Sequence, residues 1–220
     1  LGPEDVLGVM LPYRTSNPDS EAHARLLAEE LGIRTRRVDI SAMADGYLAQ
    51  ESVEERMRRG NVFARCRMIV LYDLSVEFRG LVVGTSNKTE ILLGYSTQWG
   101  DAACALNPLG DLYKAQIFAL ARHLGVPEPI LSKAPSADLF EGQTDEDELG
   151  FSYERVDRLL YRMVDERRSR AELEAEGFAP DFVDLVARRV AANQFKRVPP
   201  IIAKLSQRTV NQDFRYLRDQ

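Results

Sequence analysis

Four short segments of the sequence combine cationic, hydroxyl and carboxylate side chains at spacings that suit a phosphorylated ligand. The first is GNVFARCRM at 60–68, where Asn61 and Arg65 lie four residues apart and therefore share one face of a helix. The planar guanidinium of Arg65 suits a carboxylate or a phosphate. An arginine whose stem only covers apolar surface has the same pattern, so the spacing alone leaves both interpretations open.

The second segment, GTSNKTE at 84–90, follows a short apolar run. Thr85 and Lys88 can bind phosphate oxygens, and Glu90 can ligate Mg²⁺, a hard cation that binds carboxylates and phosphates together. Asn87 and Glu90 also have the spacing of a helix capping box. The pattern is therefore compatible with a metal ligand and with a helix cap.

The third segment is NPLGDLYK at 107–114. Asp111 is a predicted helix cap, which leaves Lys114 in the first turn of the following helix. A cation is unfavourable at that end of a helix because the helix dipole is positive there. We therefore interpret Lys114 either as a residue that faces an anion or as an ordinary surface lysine.

The remaining polar positions lie later in the chain. Ser136, in PSADL at 135–139, can donate a hydrogen bond to a phosphate, and Thr144 is a predicted cap for an acidic helix turn. Lys196 and Arg197 end a predicted helix just before two prolines. Basic residues at that end are favoured by the helix dipole in any protein, so this position alone does not indicate a ligand.

The elements that position these residues alternate between strand and helix in the first half of the chain, which predicts a parallel sheet. The segment at 41–59 has no clear pattern, and the part after residue 135 is predicted to be helical. Predicted strands are 6–12, 34–40 and 80–86, and predicted helices are 19–31, 61–78, one from Asn87, 111–124, 152–166 and 180–195. The expected fold class is α/β.

Composition excludes several classes of function. The net charge is -5, from 29 Lys and Arg against 34 Asp and Glu, whereas nucleic-acid binders usually carry a basic excess. No stretch approaches the roughly 18 apolar residues of a membrane span, and no secretory signal pattern is present. Two cysteines give neither a disulfide framework nor a zinc site. We expect a cytoplasmic protein with no membrane or nucleic-acid partner.

Taken in order, the motifs GNxxARxRM, GTSNKTExxLGY, GDxxxxxNPxGDLYK, PSADL and GQTDEDELGxSY resemble those of the NAD synthetase family. LPYRTS at 11–16 and DFRYLRD at 213–219 fit as well, so the likeness covers nearly the whole chain. It implies a single domain over 1–220, built on a Rossmann-like parallel sheet with helices on both faces and a helical C-terminal part. It also implies ATP-dependent amidation of deamido-NAD by ammonia through an acyl adenylate, which gives NAD, AMP and pyrophosphate.

The resemblance also implies a role for each candidate residue, all of them in binding. The helix at 61–78 is expected near the two-fold axis of a homodimer that shares the dinucleotide site. These residues contain no glutaminase-like domain, so free ammonia is the expected nitrogen source unless another subunit or a removed domain supplies it. The implied contacts are ATP at Thr85, Lys114 and Ser136, Mg²⁺ at Glu90, and deamido-NAD at Arg65 and Lys196.

Three departures from the family pattern stand out. The pyrophosphate loop SGGxDS, expected on a first strand upstream of Leu1, is not among these residues. Gln98 and Ala105 stand where many members carry Lys and Asp for deamido-NAD, and Phe195 stands where His is frequent. The segment at 41–59 also looks shorter than expected.

Two other interpretations remain at this point. One is a related adenylating enzyme similar to GMP synthetase, with a purine nucleotide as substrate, although the block at 84–114 favours NAD synthetase. The other is a dimeric dinucleotide-binding protein without ligase activity, if the pyrophosphate loop is truly absent. The intact ligase and this binding protein differ in whether SGGxDS precedes this sequence in frame.

Overall fold

The computed structural model describes residues 2–140 and 142–210, and helices dominate its second half. Single 3₁₀ turns span Pro3–Asp5 and Gln194–Arg197, and a π-helical turn spans Tyr161–Asp165. The strands and α-helices, in chain order, are β1 (Leu7–Met10), α1 (Pro18–Leu31), β2 (Arg34–Arg37), α2 (Ser41–Gln50), α3 (Arg56–Phe78), α4 (Lys88–Leu93), α5 (Lys114–His123), α6 (Glu128–Leu131), α7 (Asp145–Leu149), α8 (Tyr153–Leu160), α9 (Arg170–Ala175) and α10 (Pro180–Ala192).

The opening strand, helix and strand form the parallel unit that the sequence predicts. β1 and β2 pair in parallel, from Leu7 opposite Arg34 to Met10 opposite Arg37. Local chemistry fixes the intervening helix α1. The Asn17 side chain accepts the N–H of Asp19 at the start, and Gly32 ends the helix with φ of 64°, a left-handed conformation that suits glycine. The α/β class is confirmed.

The predicted strand at 80–86 is reduced to one parallel bridge between Val83 and Leu106. Two backbone hydrogen bonds hold it: Gly84 N–H donates to Leu106 O at 2.8 Å, and Ala105 N–H donates to Val82 O at 2.9 Å. The predicted strand at 80–86 is therefore longer than the one observed. The apolar run is present, but among the described residues it pairs along one edge only.

Helix boundaries also differ from prediction. The segment at 41–59 contains α2, held by the buried side chains of Ala44 and Leu48, and the start of α3. Helix α5 begins three residues later than expected. Its cap is Tyr113, whose N–H donates to Gln116 Oε1 at 2.8 Å, so the predicted cap role of Asp111 is wrong.

The C-terminal helices were predicted as two long segments and are more divided. The segment at 152–166 is α8 followed by the π-helical turn, and the segment at 180–195 is α10 followed by a 3₁₀ turn. Helix α9 had no predicted counterpart. None of the helices in the described part of the chain is long and apolar enough to cross a membrane.

Two apolar cores support the elements. One packs α2 and α3 against the end of β1 and includes Tyr13, Ile40 and Phe63. The other consists mainly of C-terminal helices and takes in Leu93 of α4 and Tyr113 at the start of α5. Helices α4 and α5, which carry two of the candidate site residues, are therefore anchored on the helical core.

Candidate active site

A long apolar groove runs between β1 and the segment at 80–85, with α3 beneath it. Its volume is about 1300 Å³. One wall is formed by Leu7, Val9 and Leu11 of β1 and its extension, and the opposite wall by Val82, Val83 and Thr85. Ligands of parallel α/β sheets bind beyond the carboxyl ends of the strands, and Thr85 lies at that end of its segment.

Thr85 and Lys196 both line this groove, as the sequence interpretation requires of two ligand contacts. The ammonium of Lys196 donates to the carbonyls of Gly94 and Ser96, each at 2.7 Å. Burial lowers the pKa of Lys196, and the carboxylate of Asp101 opposes that effect. A half-buried lysine on the groove wall can provide a positive charge to an anionic substrate.

Glu90 and Lys114 form an ion pair at the adjoining starts of α4 and α5. Lys114 Nζ lies 3.0 Å from Glu90 Oε1, and the two side chains are only 18% and 15% exposed. The second oxygen of Glu90 accepts the N–H of Asn87 at 3.1 Å, while Asn87 Oδ1 accepts the N–H of Glu90 at 3.0 Å. The capping box is therefore confirmed, and its carboxylate also contacts Lys114.

Buried acids and tyrosines surround this pair, and sequence patterns did not single them out. Asp145 accepts hydrogen bonds from Tyr95 at 3.2 Å and from Tyr153 at 2.9 Å. Burial raises the pKa of Asp145 and also the pKa of Tyr153. Lys114 Nζ lies 5.1 Å from the centre of the Tyr153 ring. Asp145 was interpreted only as part of an acidic first turn, because its burial depends on contacts with distant residues.

Lys88 forms ion pairs with two carboxylates, so its interpretation as a phosphate contact is not supported. Its Nζ lies 2.7 Å from Asp165 Oδ1 and 3.2 Å from Asp111 Oδ1. The hydroxyl of Tyr113 donates to the other oxygen of Asp165. The π-helical turn after α8 carries Asp165 to this position. The result is a clamp between α4 and the C-terminal helices.

This clamp gives a pH prediction. The hydrogen bond from Lys88 holds the pKa of Asp165 below its ordinary value of about 3.9. A depressed carboxyl pKa stabilises the folded state above that ordinary value, and the contribution is lost as pH falls through the depressed pKa. Asp165→Asn should therefore lower the melting temperature between pH 5 and pH 8, and the deficit should shrink below about pH 4.

The measurement is thermal unfolding of wild type and variant at several pH values. Asp111→Asn is the matched control, because Asp111 also faces Lys88 but its side chain is 95% exposed. A smaller deficit is expected for that control. A deficit of the Asp165 variant that stays constant down to pH 2 would contradict the assignment.

The other two candidate residues lie apart from the ion pair. Arg65 is exposed on α3, and its Nη2 donates to the carbonyl of Gln98 at 3.2 Å. Ser136 Oγ accepts the N–H of Asp138 at 3.1 Å. The structure therefore brings Glu90 and Lys114 into contact and places Thr85 and Lys196 on one groove. It does not join Arg65 or Ser136 to either group.

Arg67 lies on the groove and was not singled out by the sequence. Its Nε donates to the carbonyl of Leu11 at 3.0 Å, at the end of β1, and burial lowers the pKa of its guanidinium. A helical advance of two residues separates Arg67 from exposed Arg65 by about 200° around α3, so it points to the opposite side. The sequence could have indicated this, because Arg67 follows Arg65 by two residues in GNVFARCRM and so lies on the opposite side of the helix.

Comparison with known proteins gives the family. The NAD synthase family model matches residues 1–200. This chain belongs to the NAD synthase family. Among curated relatives, the NH(3)-dependent NAD(+) synthetase of Trichlorobacter lovleyi is 57% identical over 100% of this chain and 80% of its own length. The same enzyme of Chlorobium phaeobacteroides is 54% identical over 100% of this chain and 79% of its own length.

Solved structures agree with this family membership. An NMN synthetase from Francisella tularensis superposes with a TM-score of 0.78 at 31% identity, covering 90% of this chain and 78% of that chain. An NH3-dependent NAD synthetase from Campylobacter jejuni superposes with a TM-score of 0.76 at 32% identity, covering 91% and 79%. The Rossmann-like fold implied by the sequence motifs is thus confirmed.

The late motif DFRYLRD at 213–219 lies outside the described residues. Within 2–140 and 142–210, no group of three or more His, Cys, Asp or Glu residues has the arrangement of a metal site. A single carboxylate such as that of Glu90 can still ligate Mg²⁺, because Mg²⁺ commonly takes its other ligands from water and substrate phosphates.

Proposed function

We propose that this protein is a C–N ligase that converts deamido-NAD to NAD with ATP and ammonia. The observation that carries the proposal is the Glu90–Lys114 pair, at 3.0 Å, in a chain of the NAD synthase family. This pair gives one carboxylate and one cation at a single place. A polyphosphate bridged by Mg²⁺ requires both kinds of group.

The reaction proceeds in two steps. A carboxylate oxygen of the nicotinate attacks the α-phosphorus of ATP, and the bond to the β-phosphate breaks, so pyrophosphate leaves with the electron pair. Ammonia then attacks the acyl carbon and loses a proton, and the carbon–oxygen bond to AMP breaks. The activation is needed because a carboxylate is a poor electrophile until its oxygen becomes part of a good leaving group.

ATP is held by Lys114, Thr85 and Ser136. Lys114 neutralises charge on the phosphates, and the hydroxyls of Thr85 and Ser136 hydrogen-bond to the nucleotide. Support comes from the half-buried ammonium of Lys114 and from the position of Thr85 on the groove wall. Ser136 is assigned to ATP from the PSADL motif, and within the described residues its hydroxyl accepts the N–H of Asp138.

Mg²⁺ is held by Glu90. The donor set fits this ion, because a carboxylate is the hard oxygen ligand that Mg²⁺ favours. When bound, the ion supplies positive charge that offsets the negative charge developing on the phosphates. Glu90 itself keeps its second oxygen on the Asn87 N–H, which fixes the carboxylate at the start of α4.

Deamido-NAD is bound by Arg65 and Lys196. The Lys196 ammonium lies on the groove, and the guanidinium of Arg65 is exposed beside the loop that carries Gln98. At the two loop positions where many family members have Lys and Asp, this chain has the neutral residues Gln98 and Ala105. Contacts with the substrate in that loop therefore rely on hydrogen bonds and on the backbone instead of charge.

The protein works as a homodimer through α3. Ile69, Tyr72 and Val76 follow one another at spacings of three and four residues, so they form one stripe on this helix. They are 53%, 40% and 78% exposed, which is unusual for large apolar side chains on a helix that is elsewhere packed. A second copy of the chain covers this stripe and brings its own α3 alongside.

The reaction takes place in the cytoplasm, with free ammonia as nitrogen donor.

The test is an assay of the full-length protein with ATP, Mg²⁺, deamido-NAD and an ammonium salt. We expect NAD and AMP in equal amounts, and no product when Mg²⁺ is chelated. A parallel reaction replaces deamido-NAD with the corresponding mononucleotide, since one solved relative is an NMN synthetase. Binding of the dinucleotide without NAD or AMP would overturn the ligase proposal in favour of a non-catalytic dimer.

A further inference from the structure

One buried hydroxyl joins the helix that carries Glu90 to the helix that begins at Lys114. Thr89 is the second residue of α4 and is 0% exposed. Its Oγ1 accepts the backbone N–H of Lys114 at 3.0 Å and donates to Asp157 Oδ1 at 2.5 Å. Because Thr89 adjoins Glu90 in the chain, this hydroxyl fixes the distance between the backbones of the two paired residues.

Asp157 completes the link from the side of α8. Its second oxygen, Oδ2, accepts the N–H of Ala115 at 2.8 Å. The first N–H groups of a helix have no partner within the helix, so this carboxylate satisfies one of them at the start of α5. Asp157 is 5% exposed, and burial raises its pKa while the hydrogen bonds from Thr89 and Ala115 oppose that change.

The support for Asp157 is rigid because of its neighbours. Val156, Leu159 and Leu160 of the same helix are all 0% exposed and belong to the C-terminal core. Helices α4 and α5 are short, with 6 and 10 residues, and each begins at a loop. Asp157 therefore links the starts of two short helices to a helix that is anchored in the C-terminal core.

We propose that Thr89 and Asp157 are positioning residues that set the relative placement of Glu90 and Lys114 for the phosphates of ATP. The inference rests on the proposed function, because it assigns a consequence to the roles given there to Glu90 and Lys114. Neither Thr89 nor Asp157 touches a substrate in this scheme. A bare carboxylate is costly to bury inside a protein, and the hydrogen bonds of Asp157 within the described part of the chain go to the two helices that carry the pair.

The first test uses Thr89→Val and Thr89→Ser in the full-length protein. Valine has the shape of threonine but can neither accept the Lys114 N–H nor donate to Asp157. We expect a kcat about 10- to 100-fold lower and a raised KM for ATP, because misplacement of a binding group by about 1 Å can have that effect. The KM for deamido-NAD should stay at the wild-type value. Serine keeps the hydroxyl, so in Thr89→Ser all three constants should stay near their wild-type values.

The second test separates positioning from general loss of stability. Asp157→Ala removes both acceptor oxygens, so the Thr89 hydroxyl and the Ala115 N–H each lose their partner on α8. Val186→Ala is the matched control. Val186 is 0% exposed in the same core and makes none of these hydrogen bonds. We expect the control to lower the melting temperature and to leave the kinetic constants unchanged.

The outcomes are distinguishable from a failure of the proposed function. If wild type makes no NAD, the proposed function fails and these variants are not needed to show it. If wild type is active and Thr89→Val has wild-type kinetics at a lower melting temperature, the positioning role is wrong and the link is structural. Equal changes in the KM of ATP and of deamido-NAD would also contradict positioning at the ATP phosphates.

Discussion

Replacing Lys114 with methionine should lower kcat/KM for ATP by about 100- to 1000-fold, as is typical when a preorganised cation is removed from developing negative charge. The Lys114 ammonium is 18% exposed and pairs with Glu90, so its field is less screened by water than that of a surface lysine. Methionine keeps much of the length and apolar volume of the side chain. The loss should therefore come from charge and not from packing.

Steady-state NAD formation at several ATP concentrations measures this effect. Lys88→Met is the matched control, because Lys88 also lies at a helix start near acidic groups but is paired with Asp165 at 2.7 Å. That variant should lose stability and keep most of its activity. The activity of Lys114→Arg should lie between those of wild type and Lys114→Met, because a planar guanidinium keeps the charge but not the compact geometry of an ammonium. Wild-type activity in Lys114→Met would remove this residue from the ATP site.

Much of the fold could be predicted because local signals and tertiary structure agree. The apolar run before Pro12 and the helical spacing that stops at Gly32 define β1 and α1 without reference to any distant residue. The run at 80–86 is equally apolar, but its extent as a strand depends on the partners it finds. Only Leu106 and its neighbour provide pairing among the described residues.

The candidate site was less predictable, for a physical reason. Glu90 and Lys114 are 24 residues apart, and their contact depends on α4 and α5 beginning side by side. That arrangement is held by Thr89 and Asp157, whose hydrogen bond spans 68 residues of sequence. Spacing rules address neighbours within one helix or strand, so they do not extend to such pairs. The family motifs identified Glu90 and Lys114, but the joint between their helices came only from the structure.

Replacing Glu90 with glutamine should separate two roles that the sequence left open. Glutamine at this position still accepts the Asn87 N–H through its one oxygen, so the capping box is kept, while its Nε2 takes the place of the oxygen that faces Lys114. The negative charge is lost, so the ligand for Mg²⁺ and the partner of Lys114 are both weakened. We expect the Mg²⁺ concentration for half-maximal activity to rise, and kcat at saturating Mg²⁺ to fall by roughly 10- to 100-fold.

Glu90→Ala is the comparison that completes this test. It removes the charge and the cap together, so it should match the glutamine variant in activity and also lose about 1 kcal/mol of stability. The measurements are NAD formation across a Mg²⁺ titration and thermal unfolding of all three proteins. A glutamine variant with the wild-type Mg²⁺ response would mean that Glu90 is only a helix cap. Mg²⁺ would then have to be held by other residues of the domain, because the one side-chain oxygen left at this position belongs to a neutral amide.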